Sequence, residues 1–286
     1  MCFNDTIFAY LCALYRFLIV NTTKMKCKDI ELGIVVQARL GSNRLPNKVI
    51  RQFANHQCIL EIILEKFHDS EFQNISKILA TTTAEADRIM KQYADNANFV
   101  CFRGSETDVL RRFIDVGEKY RLTHIIRVCA DNPFLNVSSV KILMDELNNR
   151  MAKEEVVDYL SFRNQRQIPA IKTHWGLFAE IVSLEALRKV ARTTDVSIFH
   201  EHVTNFIYEH DNMFRVAFLD APPAVYDRHD IRLTVDDLDD FTMLSGLYEE
   251  TLSFSDDLEQ LIAYIDNCQT FDYRSMMIEN IKKYSK

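Results

Sequence analysis

"LGIVVQARLGSNRLPNK", residues 32–48, sets a short apolar run directly against a loop that carries arginine and lysine and no acid. The run "LGIVVQ" has the length and β-branched content of a buried strand. The segments downstream of the loop decide the fold class. "CILEIILEKF" (58–67) has helical periodicity, "ISKILATT" (75–82) reads as a strand, "EADRIMKQYADN" (85–96) as a helix and "NFVCFRG" (98–104) as a strand. The alternation continues through a helical "DVLRRFIDVGEKY" (108–120), a strand "HIIRVCAD" (124–131) and a helical "SSVKILMDELNNRM" (138–151). Strands separated by helices imply parallel βαβ units, so an α/β fold with a mainly parallel sheet in a three-layer α/β/α sandwich is expected.

Past residue 150 the regularity loosens. "VVDYLSF", "GLFAEIVS" and "FRVAFLD" read as strands, with "SLEALRKVAR" and "SIFHEHVTNFIYEH" as helices among them. "IRLTV" (231–235) reads as a strand leading into a helix "DLDDFTMLSGLYEETL", and the tail "IENIKKYSK" (278–286) as a solvated end. The expected organisation is a dispensable extension over 1–24 and one domain over 25–286, with a small inserted lobe at about 155–220. The extension includes "IFAYLCALYRFLIV" (7–20), which is interrupted by Arg16 and shorter than the ~18 apolar residues of a membrane span. It is read as lying upstream of a start at Met25, and no membrane association is expected.

Bulk composition narrows the function. Of 286 residues, 48% are hydrophobic, enough for a sizeable core. A formal charge of −7 argues against a general nucleic-acid binder, which needs a broad basic face. Any anion site must therefore be local. The seven cysteines show no C-x-x-C spacing and are read as free thiols in a reducing cytoplasm.

In open α/β sheets ligands sit beyond the carboxyl ends of the strands, so the loops after the strands carry the candidates. After the first strand, Arg39, Arg44, Lys48 and Arg51 supply four positive charges, and Gly41 and Ser42 let backbone N–H groups approach a ligand. Guanidinium forks and a lysine point charge suit a polyphosphate. The loop matches neither the P-loop nor the dinucleotide fingerprint. In "FRGSETDVL" (102–110), Gly104 permits a turn with positive φ, while Arg103 and Ser105 offer polar groups to a planar base; Ser105 or Thr107 as a helix N-cap stands open beside that reading. Asp131 in "DNPF" and Asp236 in "DDLDD" each follow a strand-like run. Two carboxylates facing a basic loop can hold Mg²⁺, and an Asx turn at Asp131 and an N-cap at Asp236 remain open. His200 and His202 flank Glu201, but i,i+2 histidines face different sides of a helix, so zinc is not expected. Glu180, Glu201, His202 and Thr204 are read as lining a sugar-sized pocket, with satisfied surface residues as the equal alternative.

Taken in order, "QARLGSNRLPNKVI", "ATT", "FRGSETDVL", "RVCADNPFL", "EHVT" and "LTVDDLDDF" resemble the cytidylyltransferase family of the acylneuraminate and 3-deoxy-manno-octulosonate cytidylyltransferases, and most closely its spore-coat polysaccharide branch. The likeness covers about residues 32–252. It implies a nucleotide-diphospho-sugar transferase fold and transfer of CMP from CTP to a sugar, an acidic one by the family's habit, for surface polysaccharide, with Mg²⁺. It places Arg39, Ser42, Arg44 and Lys48 on the triphosphate, Ser105 near the base, and Asp131 and Asp236 on the metal. CTP and a sugar are then the small-molecule partners, and a homodimer is the assembly carried with them. Asn47 departs from the glycine common in the family, Asn205 from a proline, and His200 from an arginine. A glycosyltransferase of similar fold and a non-catalytic nucleotide-binding relative are the competing functions; the first lacks a D-x-D-like motif midway along this chain.

Overall fold

The computed structural model describes residues 30–284. The extension over 1–24, with its apolar run and two of the cysteines, lies outside the described residues. Nine strands form among the described residues: β1 Leu32–Gln37, β2 Gln52–Ala54, β3 Gln57–Cys58, β4 Ser76–Thr82, β5 Val100–Gly104, β6 His124–Cys129, β7 Tyr159–Arg163, β8 Glu180–Ser183 and β9 Val216–Asp220. β2 and β3 make a separate hairpin, and the other seven form one sheet in the order β5–β4–β1–β6–β8–β7–β9. The pairs β5·β4, β4·β1, β1·β6 and β7·β9 are parallel, whereas β8 runs antiparallel to both β6 and β7. The stretch 155–220, expected as an inserted lobe, thus contributes three strands to the same sheet as β1.

Eleven helices of α type lie among the described residues: α1 Ile59–Glu65, α2 Met90–Asn96, α3 Val109–Lys119, α4 Val137–Ala152, α5 Leu184–Thr193, α6 Ser197–Glu201, α7 Asn205–Glu209, α8 Pro223–Tyr226, α9 Leu238–Thr251, α10 Leu258–Asn267 and α11 Tyr273–Tyr284. Alternation along β1 divides them into two layers. Ile34 and Val36 face a core shared with α1, α2, α4, α9, α10 and α11, and Val35 faces a second core built with α3, α5 and α7. Both faces of the sheet are therefore covered, which is why its central strands are almost wholly apolar. The α/β/α sandwich expected from the strand–helix alternation is the observed architecture.

Three local expectations are corrected. "IRLTV" makes no strand. Its amides donate one at a time, Leu233 to the His174 carbonyl (3.0 Å) and Val235 to the Asp131 carbonyl (2.8 Å), and the Val235 carbonyl is taken by Lys48 Nζ (2.6 Å) instead of a ladder partner. "SIFHEHVTNFIYEH" breaks into α6 and α7. Residues 278–284 of the tail belong to α11, which buries Tyr273, Met277 and Asn280. The tail's polar residues concealed this packing, because charged side chains on its outer face dilute a narrow apolar stripe.

Candidate active site

The exits of β1 and β6 open into a cavity of about 660 Å³, within the size range of small-molecule sites. Its rim at the β1 end is formed by Arg39, Ser42, Arg44, Lys48, Asp131 and Asp236. The basic loop is pinned from below by an acid distant in sequence: the buried Asp87 accepts the Leu40 amide at 2.9 Å and the Thr82 hydroxyl. The Leu40 carbonyl in turn accepts the amides of Ser42 (2.8 Å) and Asn47 (3.1 Å), closing the loop on itself. Asn47 sits at φ 59°, ψ 19°. Asparagine is among the few non-glycine residues that enter this left-handed region at low cost, so it preserves the turn a glycine would make. A Cβ at Gly41 would meet nothing within 4 Å, and Gly41 stands outside the cavity wall.

Two cations and two carboxylates converge at the rim. Arg44 Nη2 donates to Asp236 Oδ1 at 2.6 Å, and Lys48 Nζ lies 3.5 Å from Asp131 Oδ2 and 4.0 Å from Asp236 Oδ1. Asp236 does not cap α9; Asp237 does, by accepting the Asp240 amide. Asp236 is held instead by Arg232, whose buried guanidinium donates to it at 2.9 Å and grips the buried Asp240 through two nitrogens. Arg232 Nη1 also meets His174 Nδ1 at 2.7 Å. Arginine can only donate, so Nδ1 must accept and the proton of His174 sits on Nε2. Burial and the neighbouring Arg232 charge both hold the His174 pKa below the ordinary value, keeping this cavity-lining ring neutral.

Elsewhere on the wall, the exposed Glu201 and His202 line the cavity together with Arg127, Lys172, Asn205 and Tyr208. Glu180 and Thr204 lie behind this wall. The buried Glu180 carboxylate accepts from Arg127 Nη1 (2.6 Å), the Tyr159 hydroxyl (2.6 Å) and the Thr204 hydroxyl (2.9 Å). That network ties the α6–α7 turn to β6, β7 and β8, so the "EHVT" motif is anchored through its threonine while its histidine faces the cavity. Burial pushes the Cys129 thiol in the cavity floor up to about 11, so it stays protonated near neutral pH.

Arg103, Gly104 and Ser105 stand at the end of β5, outside the cavity wall. Arg103 donates to the carbonyls of Thr82, Thr83 and Ala84 at 3.1, 2.8 and 2.7 Å. Gly104 does not take the expected positive φ; among the described glycines only Gly176 does. A Cβ on Gly104 would lie 2.9 Å from the Arg112 side chain, so close packing is what glycine serves there. Neither Ser105 nor Thr107 is the N-cap of α3, which is Asp108; Ser105 Oγ accepts the Asp108 amide at 3.1 Å. His200, on the far side of the α6 turn, contacts Asp108 and the Thr194 carbonyl.

Asp131 and Asp236 approach one cationic centre, Lys48 Nζ, from two different loops, and both carboxylates remain partly exposed. Hard oxygen ligands in pairs, completed by water and substrate phosphate, are how proteins hold Mg²⁺, so these residues fit that ion. Among the described residues no group of three or more His, Cys, Asp and Glu side chains forms a ready-made metal cage, and no helix is long and apolar enough to cross a membrane.

Comparison with known proteins agrees with the geometry. A family model described as cytidylyltransferase matches residues 33–275. An uncharacterised protein of Methanocaldococcus jannaschii is 32% identical over 232 residues, spanning 81% of this chain and 89% of that one. The spore coat polysaccharide biosynthesis protein SpsF of Bacillus subtilis is 30% identical over 224 residues, 77% and 87% of the two chains. Among solved structures, a cytidylyltransferase from Leptospira borgpetersenii superposes with a TM-score of 0.74 at 25% identity, covering 87% of this chain and 97% of that one. With the match extending from β1 into α11 and the charged rim lying inside it, the chain belongs to the cytidylyltransferase family of nucleotidyltransferase enzymes.

Proposed function

We propose that this cytidylyltransferase moves CMP from CTP to an acidic sugar, releasing pyrophosphate, in the making of a surface polysaccharide. The observation that supports the reading most is the convergence of Arg44 and Lys48 with Asp131 and Asp236 on the rim. In this reading Arg39, Ser42, Arg44 and Lys48 receive the triphosphate, and the base lies toward the loop after β5 that holds Arg103, Gly104 and Ser105. The sugar occupies the part of the cavity beside Glu201 and His202, where Arg127 and Lys172 offer donors to a carboxylate and hydroxyls, with the neutral His174 on the same cavity wall.

Asp131 and Asp236 would hold Mg²⁺, which supplies charge neutralisation to the polyphosphate. The residues of the chain do the rest. A sugar hydroxyl attacks the α-phosphorus in line, a new P–O bond forms, the bond to the pyrophosphate oxygen breaks, and the hydroxyl proton is released. Arg44 and Lys48 offset the charge that grows on the departing pyrophosphate. The test is pyrophosphate release from each of the four nucleoside triphosphates with a panel of acidic and neutral sugars. Turnover with CTP and an acidic sugar is expected; turnover with another nucleotide, or with neutral sugars only, would overturn the corresponding half of the reading.

A further inference from the structure

Arg44 has a second contact, and it comes from the opposite end of the chain. Its Cζ lies 5.0 Å from the ring centroid of Tyr284 on α11, and Cζ of Arg232 lies 4.3 Å from the same ring. The Tyr284 hydroxyl donates to Asp237 Oδ2 at 2.7 Å, which fixes the ring against the start of α9. α11 is itself bound to this corner: Asn280 Nδ2 donates to Asp240 Oδ1 at 3.0 Å, Lys283 pairs with Asp239, and the Arg232 amide points at Met277 Sδ. One aromatic ring thus serves both guanidinium groups that hold Asp236.

The two ways of holding Arg44 differ in what they consume. Its ion pair with Asp236 occupies N–H donors in the guanidinium plane. A ring face attracts the cation through its quadrupole and leaves those in-plane donors free. We infer that Tyr284 is a positioning residue of the transfer reaction, a platform that keeps Arg44 at the cavity rim with its N–H fork available to a triphosphate once Asp236 lets go. The inference rests on the assignment of Arg44 to the triphosphate, and it makes the C-terminal helix part of the nucleotide site. Arg44 needs such a platform because half of its side chain is exposed (52%), whereas Arg232 is already fixed by four polar contacts.

Two substitutions separate the ring from its hydroxyl, since Tyr284→Phe and Tyr284→Leu both lose the bond to Asp237 but only the second loses the aromatic face. With CTP and Mg²⁺, Tyr284→Leu is expected to raise the Kd and KM for CTP about five- to thirtyfold, the range of a partly buried cation–π contact, and to leave the KM for the sugar unchanged. Tyr284→Phe should stay within about twofold of wild type in both. A purely structural role predicts instead that both variants lose thermal stability alike, with no split between the two KM values. A double-mutant cycle of Arg44→Met and Tyr284→Leu, read on the melting of the ligand-free protein, must show coupling. Additive effects, or an unchanged CTP Kd in Tyr284→Leu, overturn the inference. Wild-type protein that binds no nucleotide would overturn the cytidylyl-transfer reading instead, and the cycle would still decide the Arg44–Tyr284 contact.

Discussion

Asp131 and Asp236 illustrate how one residue type takes different work from its neighbours. Asp237, one position on, is a structural cap, and Asp240 is buried against Arg232, while Asp131 and Asp236 alone of this group meet Lys48. Asparagine keeps their shape and removes their charge. Asp131→Asn and Asp236→Asn are therefore expected to melt within a few degrees of wild type yet lose most pyrophosphate release; variants that remain active would sink the assignment of both to a metal. Asn47 makes a simpler case. Its left-handed conformation carries no cost for glycine and about 1–2 kcal/mol for a β-carbon with branched substituents. Asn47→Gly should leave stability and CTP affinity near wild type, and Asn47→Val should lower the melting temperature; equal behaviour of the two would show that the turn tolerates any residue.

The segment 231–235 and the turn at Gly176 depend on each other. Gly176 holds φ +60°, and a Cβ there would lie 2.6 Å from the backbone carbon and oxygen of Leu233. Backbone cannot withdraw as a flexible side chain can. Gly176→Ala should therefore displace 231–235, cost more than the roughly 1–2 kcal/mol of the conformation alone, and impair CTP binding through Val235 and Asp236. A variant that melts and binds like wild type would refute that dependence. Such a contact is invisible in sequence, and it marks where sequence reasoning ended. From β1 to α4 the strands of the main sheet and the helices were legible because each apolar run is bounded by a change of periodicity, whereas the short β2–β3 hairpin was not read. The rim was legible because a cluster of cations without acids stands at a strand exit. The rest was hidden by distance. Asp87 anchors the basic loop across 47 positions, and Glu180, read as a wall of the sugar pocket, is spent on three partners far from it in sequence. Arg127 did leave a trace, a lone charge inside the apolar "HIIRVC". "IRLTV" misled because strand propensity says nothing about whether a partner edge exists.

For the molecule as a whole, two histidines tilt the dependence of stability on pH in opposite directions. Burial holds the His124 pKa below its unfolded value of about 6.5, so its contribution is complete above that pH and is lost as pH falls through the lowered folded value. His200 is the reverse. Its bond to the Thr194 carbonyl, and then the Asp108 carboxylate, raise its pKa, so its contribution is complete below about 6.5 and is lost as pH rises through the raised value. Replacing His200 by asparagine should lower the melting temperature more at pH 5.5 than at pH 8.5, with both pH values chosen about one to two units from 6.5. Equal deficits at the two values would show that the Asp108 contact carries no charge. Below about pH 4 a second loss is expected. Burial works against the Asp158 and Asp230 carboxylates, but Arg215 and Arg228 outweigh it and keep both below the usual range, a gain that vanishes as they protonate.

Because Arg44 and Lys48 rest on Asp236 and Asp131, the proposed site would make ligand binding an exchange of partners. On the proposed assignment, a divalent ion arriving alone draws both carboxylates away from Arg44 and Lys48, and a triphosphate arriving alone draws the cations away, leaving Asp131 without its lysine and Asp236 with Arg232 alone. Arriving together, each receives the groups the other has released. The affinities are then linked, and linkage is reciprocal: the factor by which Mg²⁺ tightens CTP must equal the factor by which CTP tightens Mg²⁺. Calorimetric titration of each ligand in the presence and absence of the other measures both factors. A value near one would mean that the four side chains act as independent contacts, and a value well above one that they behave as a single charge-exchange unit.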